Sequence, residues 1–329
     1  MATPMELYCW RGDWGLPSVD AECLVVVTYA KFAGAPVKVR STCVPWRSPT
    51  GRLPALRSDG EVISSPYDIL NHLQKKGFHL DVGLTRKEEA DAKAFVSLIR
   101  QKLLPAVMHT FWGDTVNYSE FTRPWLAGSL PFPMGLILPG QVRGSATERF
   151  TQMVTKSSDA TDEEYEEQMY LDATECLRLL SQSLGSRKYF FQDQPSSLDA
   201  VVFAHVAPLI KARLPNSRLH HHVKNLDNLC LLCHHVLHQY FPHVDDDNYN
   251  SSQSKPPPAN GPARSPDADG EVFTWREQIL SVLFVSAAMI GYAFLSGLVT
   301  VEWQAPGHVY QVIEDPKMEM YGENETDDE

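Results

Sequence analysis

Two groups of residues in this chain have the types and spacing for chemistry. The first is Cys230-Leu231-Leu232-Cys233-His234-His235, with His220, His221, His222, His238 and His243 nearby. Cysteines at this spacing beside histidines match structural zinc ligands, and Cys-x-x-Cys-His is also the haem-attachment spelling. A second ligand pair at zinc spacing is missing from the sequence. Leu226, Leu229, Cys230, Cys233, Val236, Leu237 and Tyr240 instead recur at helical intervals. On a helix both thiols share that apolar face, where cysteine behaves as a small hydrophobe. The spacing favours a core helix over a metal site, and no metal or other cofactor is expected. The second group is Tyr8, Cys9 and Ser18. A hydroxyl or thiol just behind a first strand could stabilise or supply a thiolate nucleophile. Each also has a structural reading, as strand residue, strand thiol and helix N-cap, and these are favoured because caps and core positions far outnumber nucleophiles.

The elements that must position these residues are legible from patterning. Glu6 to Cys9 is a short strand candidate, and Pro17-Ser18 opens a helix with Ser18 as its N-cap. Asp20 and Glu22 suit the positive end of that helix, and Gly34 closes it. Val37 to Arg40 reads as a second strand, and Pro54 precedes a third. Asp59-Gly60 signals a hairpin into Glu61 to Ile63. A helix from about Ser65 then carries Ile69, Leu70 and Leu73 to Gly77.

Beyond residue 85 the pattern is almost wholly helical. Thr85 and Glu88 form a capping box, as do Ser196 and Asp199. Thr161 or Asp162 caps a long helix that Gly185 ends. Pro105 marks a kink or break. The stretch from Pro131-Phe132-Pro133 to Pro139-Gly140 reads as an apolar connector tucked under the helices. Residues Leu198 to Arg213 are apolar nearly all round, which suits the centre of a domain. One more helix is expected from Leu219 to Phe241.

Residues 243–272 are rich in Asp, Asn, Ser, Pro and Gly and read as a disordered linker. The stretch from Ile279 to Val301 then holds 23 residues without a charge or proline. That is enough for a helix to cross a hydrocarbon core of about 30 Å. Trp275 and Trp303 flank it, as interfacial indoles do. Ala287 with Gly291, and Ala293 with Gly297, are small-xxx-small pairs that permit close helix packing in lipid. With 28 residues following, the chain is expected to be tail-anchored, its bulk facing the cytosol. Of the formal net charge of −12, the tail 302–329 carries −8, from nine acids against one base. The nearly balanced remainder gives no nucleic-acid footprint. The tail reads as a solvated end, or more sharply as a docking tail for a basic partner. Without a secretory signal the six cysteines are expected to be reduced, and the sequons at Asn117, Asn250 and Asn324 unmodified.

A βαβββα unit with proline before its third strand, followed by helices with a Ser-x-x-Asp cap on a buried one, resembles the glutathione transferase architecture. The implied fold is α+β: a thioredoxin-like N-terminal domain at 1–80 with Pro54 as its cis-proline, then an all-α domain at 81–242. Aligning Ile69 with the usual isoleucine of that fold's third helix puts Ser65 and Pro66 where glutathione's γ-glutamyl group is held. Proline lacks both hydroxyl and N–H, so the resemblance implies a lost glutathione anchor and no enzyme activity. MELYCWRGDWGLPSVD, Lys102-Leu103-Leu104-Pro105, His109-Thr110-Phe111-Trp112, Tyr189-Phe190-Phe191 and Pro195-Ser196-Ser197-Leu198-Asp199-Ala200 are similar to the metaxin family, and the anchor to its membrane-anchored branch. That resemblance implies a non-catalytic component of the outer-mitochondrial-membrane sorting and assembly machinery, supporting protein import and insertion of β-barrel precursors. It implies as partners a second metaxin, the β-barrel subunit of that machinery and cristae-organising proteins, with the short tail in the intermembrane space. The alternatives are a membrane-tethered glutathione-dependent transferase and an adaptor for mitochondrial positioning.

Overall fold

The computed structural model describes residues 5–130, 134–153, 161–191, 193–242 and 286. The stretch 279–301, including Ile279, Gly291, Gly297 and Val301, lies outside them except for Ser286, as do the whole linker 243–272 and the whole tail. Among the described residues no helix is long and apolar enough to cross a membrane.

The N-terminal part is a four-stranded sheet of order β2-β1-β3-β4, with β1 Met5–Trp10, β2 Val37–Thr42, β3 Ala55–Ser58 and β4 Glu61–Ile63. β2 runs parallel to β1 with Leu7 opposite Val39, and β3 runs antiparallel with Leu7 opposite Leu56. Asp59 at φ 51° and Gly60 at φ 88° turn the chain tightly from β3 into β4. The Leu53–Pro54 peptide bond is cis. Two helices complete this part, α1 at Ala21–Phe32 and α2 at Pro66–Lys75.

The cap of α1 departs from expectation. A cap must stand immediately before the first helical residue. The chain turns at Trp14 and Gly15, both at positive φ, and the helix begins at Ala21. Asp20 is therefore the cap, accepting from the Cys23 amide at 2.9 Å. Ser18 lies fully buried before it, with its hydroxyl unpartnered.

The helical part begins with α3 (Arg86–Leu98), α4 (Leu104–Met108), α5 (Thr115–Asn117) and α6 (Arg123–Gly128). The Thr85–Glu88 box caps α3 from both sides. Pro105 does not break the helix. A π-helical turn at Ile99–Leu103 precedes it, and the φ and ψ of Leu103 and Leu104 stay helical. Widening the turn accommodates a ring that has no N–H and would otherwise crowd the preceding turn. Further π turns occupy His109–Gly113 and Tyr118–Thr122.

α7 spans Met134–Met153, so the expected connector is mostly helix, with Pro139 inside it. Leu138 and Pro139 are buried, but Leu136 and Ile137 are exposed rather than tucked away. α8 (Asp162–Leu184) starts at Thr161 and ends at Gly185, which has φ 57°. α9 (Ser197–Lys211) is buried along twelve successive residues from Leu198 to Leu209. The expected last helix is two, α10 (Arg218–Lys224) and α11 (Asp227–Tyr240). They divide at Asn225 and Leu226, where Leu226 leaves helical geometry at ψ 75°. Asn228 anchors the restart by donating to the carbonyls of Ser181 and Gly185. One continuous core joins Leu7 and Leu24 of the sheet part to Leu103, Leu177, Phe203 and Val236.

Candidate binding cleft

A cleft of about 220 Å³ opens between the sheet part and the helices. Trp10 and Trp14 come from the end of β1 and the loop behind it, and Leu53 from the residue before the cis bond. Phe111, Thr122 and Trp125 come from the two π-helical turns and α6, and Val142, Ala146 and Arg149 from α7. Gly12 sets the loop's path, since a Cβ there would lie 2.4 Å from the Leu16 carbonyl oxygen. Trp14 sits against Phe121 at 5.3 Å, Trp125 at 5.1 Å and Phe111 at 5.9 Å between ring centroids. Asp13 fixes two of these rings, accepting from the Trp14 amide at 2.7 Å and from Trp125 Nε1 at 2.6 Å.

Among the described residues the charges of the cleft are Asp20, Glu22 and Arg149. Arg149 reaches from α7 to Glu22 at 2.6 Å. Burial and the adjacent Glu22 raise the Asp20 carboxyl above its ordinary range, against the pull of the Cys23 amide. Among the described residues the lining holds no Cys, Tyr, His or Lys.

The residues singled out for chemistry do not converge there. Tyr8 donates to Glu6 at 3.2 Å, and Cys9 is fully buried in the core. Ser65 caps α2 by accepting from the Asp68 amide, with Pro66 as the first helical residue. Cys230 and Cys233 lie on the inner side of α11, the first donating to the Val223 carbonyl at 3.4 Å. Burial raises both thiols above their usual range, Cys233 the more, which disfavours the thiolate a ligand or nucleophile needs. Among the described residues no three His, Cys, Asp or Glu side chains gather as metal ligands. Asn117 is buried, donating to Thr110 and Asn216 carbonyls and accepting from the Asn216 amide, so its sequon has no free amide group to modify.

The aromatic run of residues 109–125 was visible in the sequence, but its convergence on Trp10 and Trp14 was not. Thr122 carried no signal at all, because a π turn rotates it away from the positions that helical spacing predicts.

Residues 23–143 match the family described as outer mitochondrial membrane transport complex protein, Tom37. Residues 173–236 match the glutathione S-transferase C-terminal domain. The chain is 49% identical over 307 residues to metaxin-1 of Macaca fascicularis, covering 93% of this chain and 94% of that one. The chain belongs to the metaxin family. It is also 49% identical over 245 residues to metaxin-3 of Xenopus laevis, covering 74% of this chain and 78% of that one. Among solved structures, glutathione S-transferase III in apo form superposes with a TM-score of 0.46 at 14% identity, covering 78% of this chain and all of that one. With residues 173–236 matching that transferase domain, the fold is glutathione-transferase-like, with a small sheet and a mostly helical remainder.

Proposed function

We propose that this metaxin is a non-catalytic component of an outer-mitochondrial-membrane transport complex. More finely, it belongs to the sorting and assembly machinery and supports import and insertion of β-barrel precursors by docking other proteins. Its partners are a second metaxin, the β-barrel subunit of that machinery and cristae-organising proteins. Residues 279–301 anchor it, with the body in the cytosol and residues 302–329 in the intermembrane space. The observation that carries the reading is the family likeness spanning 93% of the chain.

The geometry adds support for the absence of catalysis. The Ser65 hydroxyl is engaged by its own helix, and Pro66 has no N–H to offer a γ-glutamyl carboxylate. Among the described residues the cleft's one base, Arg149, already pairs with Glu22, a poor match for an anionic tripeptide. Tyr8, Cys9 and Ser18, the groups that might hold a thiolate, are absent from the lining. A glutathione-dependent transferase is the second reading, favoured by the match at residues 173–236. The two separate in one assay. The full-length protein is expected neither to bind immobilised glutathione nor to conjugate model electrophiles. Turnover that disappears on changing Ser18 or Cys9 would establish the transferase instead.

A further inference from the structure

Away from the cleft, one face of the body is unusual for a solvated surface. Trp46 is 49% exposed, Leu136 68% and Ile137 57%. Single exposed apolar side chains are ordinary, but these three border one small core. Val44, Leu126, Leu130 and Leu138 form that core, with Cys43 and Met134 packed against it. Trp46 stands two residues beyond Val44, in the short turn Pro45–Arg47. Leu136 and Ile137 lie directly before Leu138 in the first turn of α7. Residues 130–139 hold no charged, hydroxyl or amide side chain. The charges are just as uneven. Residues 38–58 carry five bases and residues 121–147 carry two, with no acid in either stretch, in a chain of net charge −12. Asp59, Glu120 and Glu148 stand just outside them. The core that joins Val44 to Leu126 and Leu138 brings the two stretches together. Arg47, Arg52 and Arg123 are exposed, and among the described residues none of them joins an ion pair.

Exposed apolar side chains beside unpaired arginines suit the surface of an anionic bilayer. An indole favours the headgroup level, and aliphatic side chains enter the acyl boundary. Each arginine near the surface is drawn to negative lipid. The bilayer is also close at hand. In the proposed function residues 279–301 are the anchor, and only 36 residues, 243–278, separate it from the body. A coil of that length spans about 30–36 Å r.m.s.. Such a tether presents the bilayer to the body at high effective concentration, so a small contact area suffices. We propose that the face bearing Trp46, Leu136, Ile137, Arg47, Arg52 and Arg123 docks onto anionic lipid, giving the body a second membrane contact besides the anchor. The occupant is the lipid surface rather than a protein. The inference rests on the proposed anchor for proximity, but the chemistry of the face is its own. Docking there would fix which sides of the body stay open to other proteins.

The test uses the full-length chain, one copy per nanodisc, in phosphatidylcholine alone or with about a third phosphatidylinositol. Lipid brominated high on its acyl chains quenches tryptophans seated at the interface. The signal lost on Trp46→Phe isolates Trp46, while the remainder includes Trp275 and Trp303 beside the anchor. The Trp46 component should be quenched in the anionic discs and less so in phosphatidylcholine alone. Each arginine near an anionic surface is worth about fivefold. Arg47→Gln/Arg52→Gln/Arg123→Gln should therefore lower the ratio of docked to free body about a hundredfold. Leu136→Ser/Ile137→Ser should also reduce the quenching with the arginines intact. These side chains are exposed, so both variants should melt as the wild type does. The proposal fails if Trp46 is unquenched in anionic discs, or if the arginine variant stays quenched. Shielding of Trp46 from aqueous acrylamide only in discs holding two copies would make a second copy the occupant, and would also overturn it. Unquenched Trp275 and Trp303 would instead count against the anchor. The Trp46 component is read separately, so the two failures are distinct.

Discussion

Asp199 and Thr122 are both buried polar residues, but only Asp199 is satisfied. Its carboxylate accepts from the Phe190 amide at 3.0 Å, the Ser196 amide at 2.8 Å and Ser196 Oγ at 2.6 Å. Removing it leaves these donors unpaired in the core, so Asp199→Ala should destabilise the fold by about 2–4 kcal/mol in chemical denaturation. Burial nevertheless outweighs the three donors and pushes the Asp199 carboxyl up to about 6. The unfolded value is about 3.9, so the native state holds this proton the more tightly. The resulting contribution to stability is complete below about pH 4 and is lost as pH rises through about 6. Asp199→Asn removes that dependence. Its stability relative to wild type should therefore improve from pH 4 to pH 7, and a difference that is flat or falls with pH would contradict the assignment. The residue-level reading of this site needed only spacing, because Ser-x-x-Asp is a local motif closed within one turn. The pairing with Phe190 is a tertiary contact, and no local pattern encodes it.

At the scale of elements, local chemistry predicted which segments are helix or strand better than where they start. Asp20 rather than Ser18 caps α1 because the first helical residue is Ala21, two positions later than the pattern suggests. Asp20→Ala should cost about 1 kcal/mol, whereas Asp20→Asn keeps the cap and should be close to neutral at pH 7. Ser18→Ala removes an unpartnered hydroxyl and should cost less than Asp20→Ala. If melting ranks those two in the reverse order, Ser18 is the cap. Pro105 and Pro139 misled for the opposite reason. Proline argues against a helix interior only where the turn keeps its usual pitch, and Pro105 follows a π turn that loosens it. The break between α10 and α11 was hidden by an apolar rhythm that continues across it. Asn228, bonded to α8 and Gly185, fixes the second helix from outside.

At the scale of the whole molecule, the strand-helix order and the apolar helix α9 were enough to indicate a small sheet joined to a helical body. That order also carried the likeness to glutathione transferases, while short sequence segments carried the likeness to metaxins. The cleft was not legible, because elements scattered from β1 to α9 supply its walls and distance along the chain gives no hint that they meet. The same geometry underlies the functional account. Of the residues that could hold a thiol, Tyr8 donates to Glu6, and Cys9 and Ser18 are buried, which fits the proposed role of the body as a binding surface. The proposed role of this surface is transport of proteins at the outer mitochondrial membrane. The most direct measurement is the rate at which a newly imported β-barrel precursor reaches its assembled form in mitochondria depleted of this protein. Slowed assembly, restored by the wild-type chain and equally by a Cys9→Ala/Ser18→Ala variant, is the predicted result. Normal assembly after depletion would contradict it.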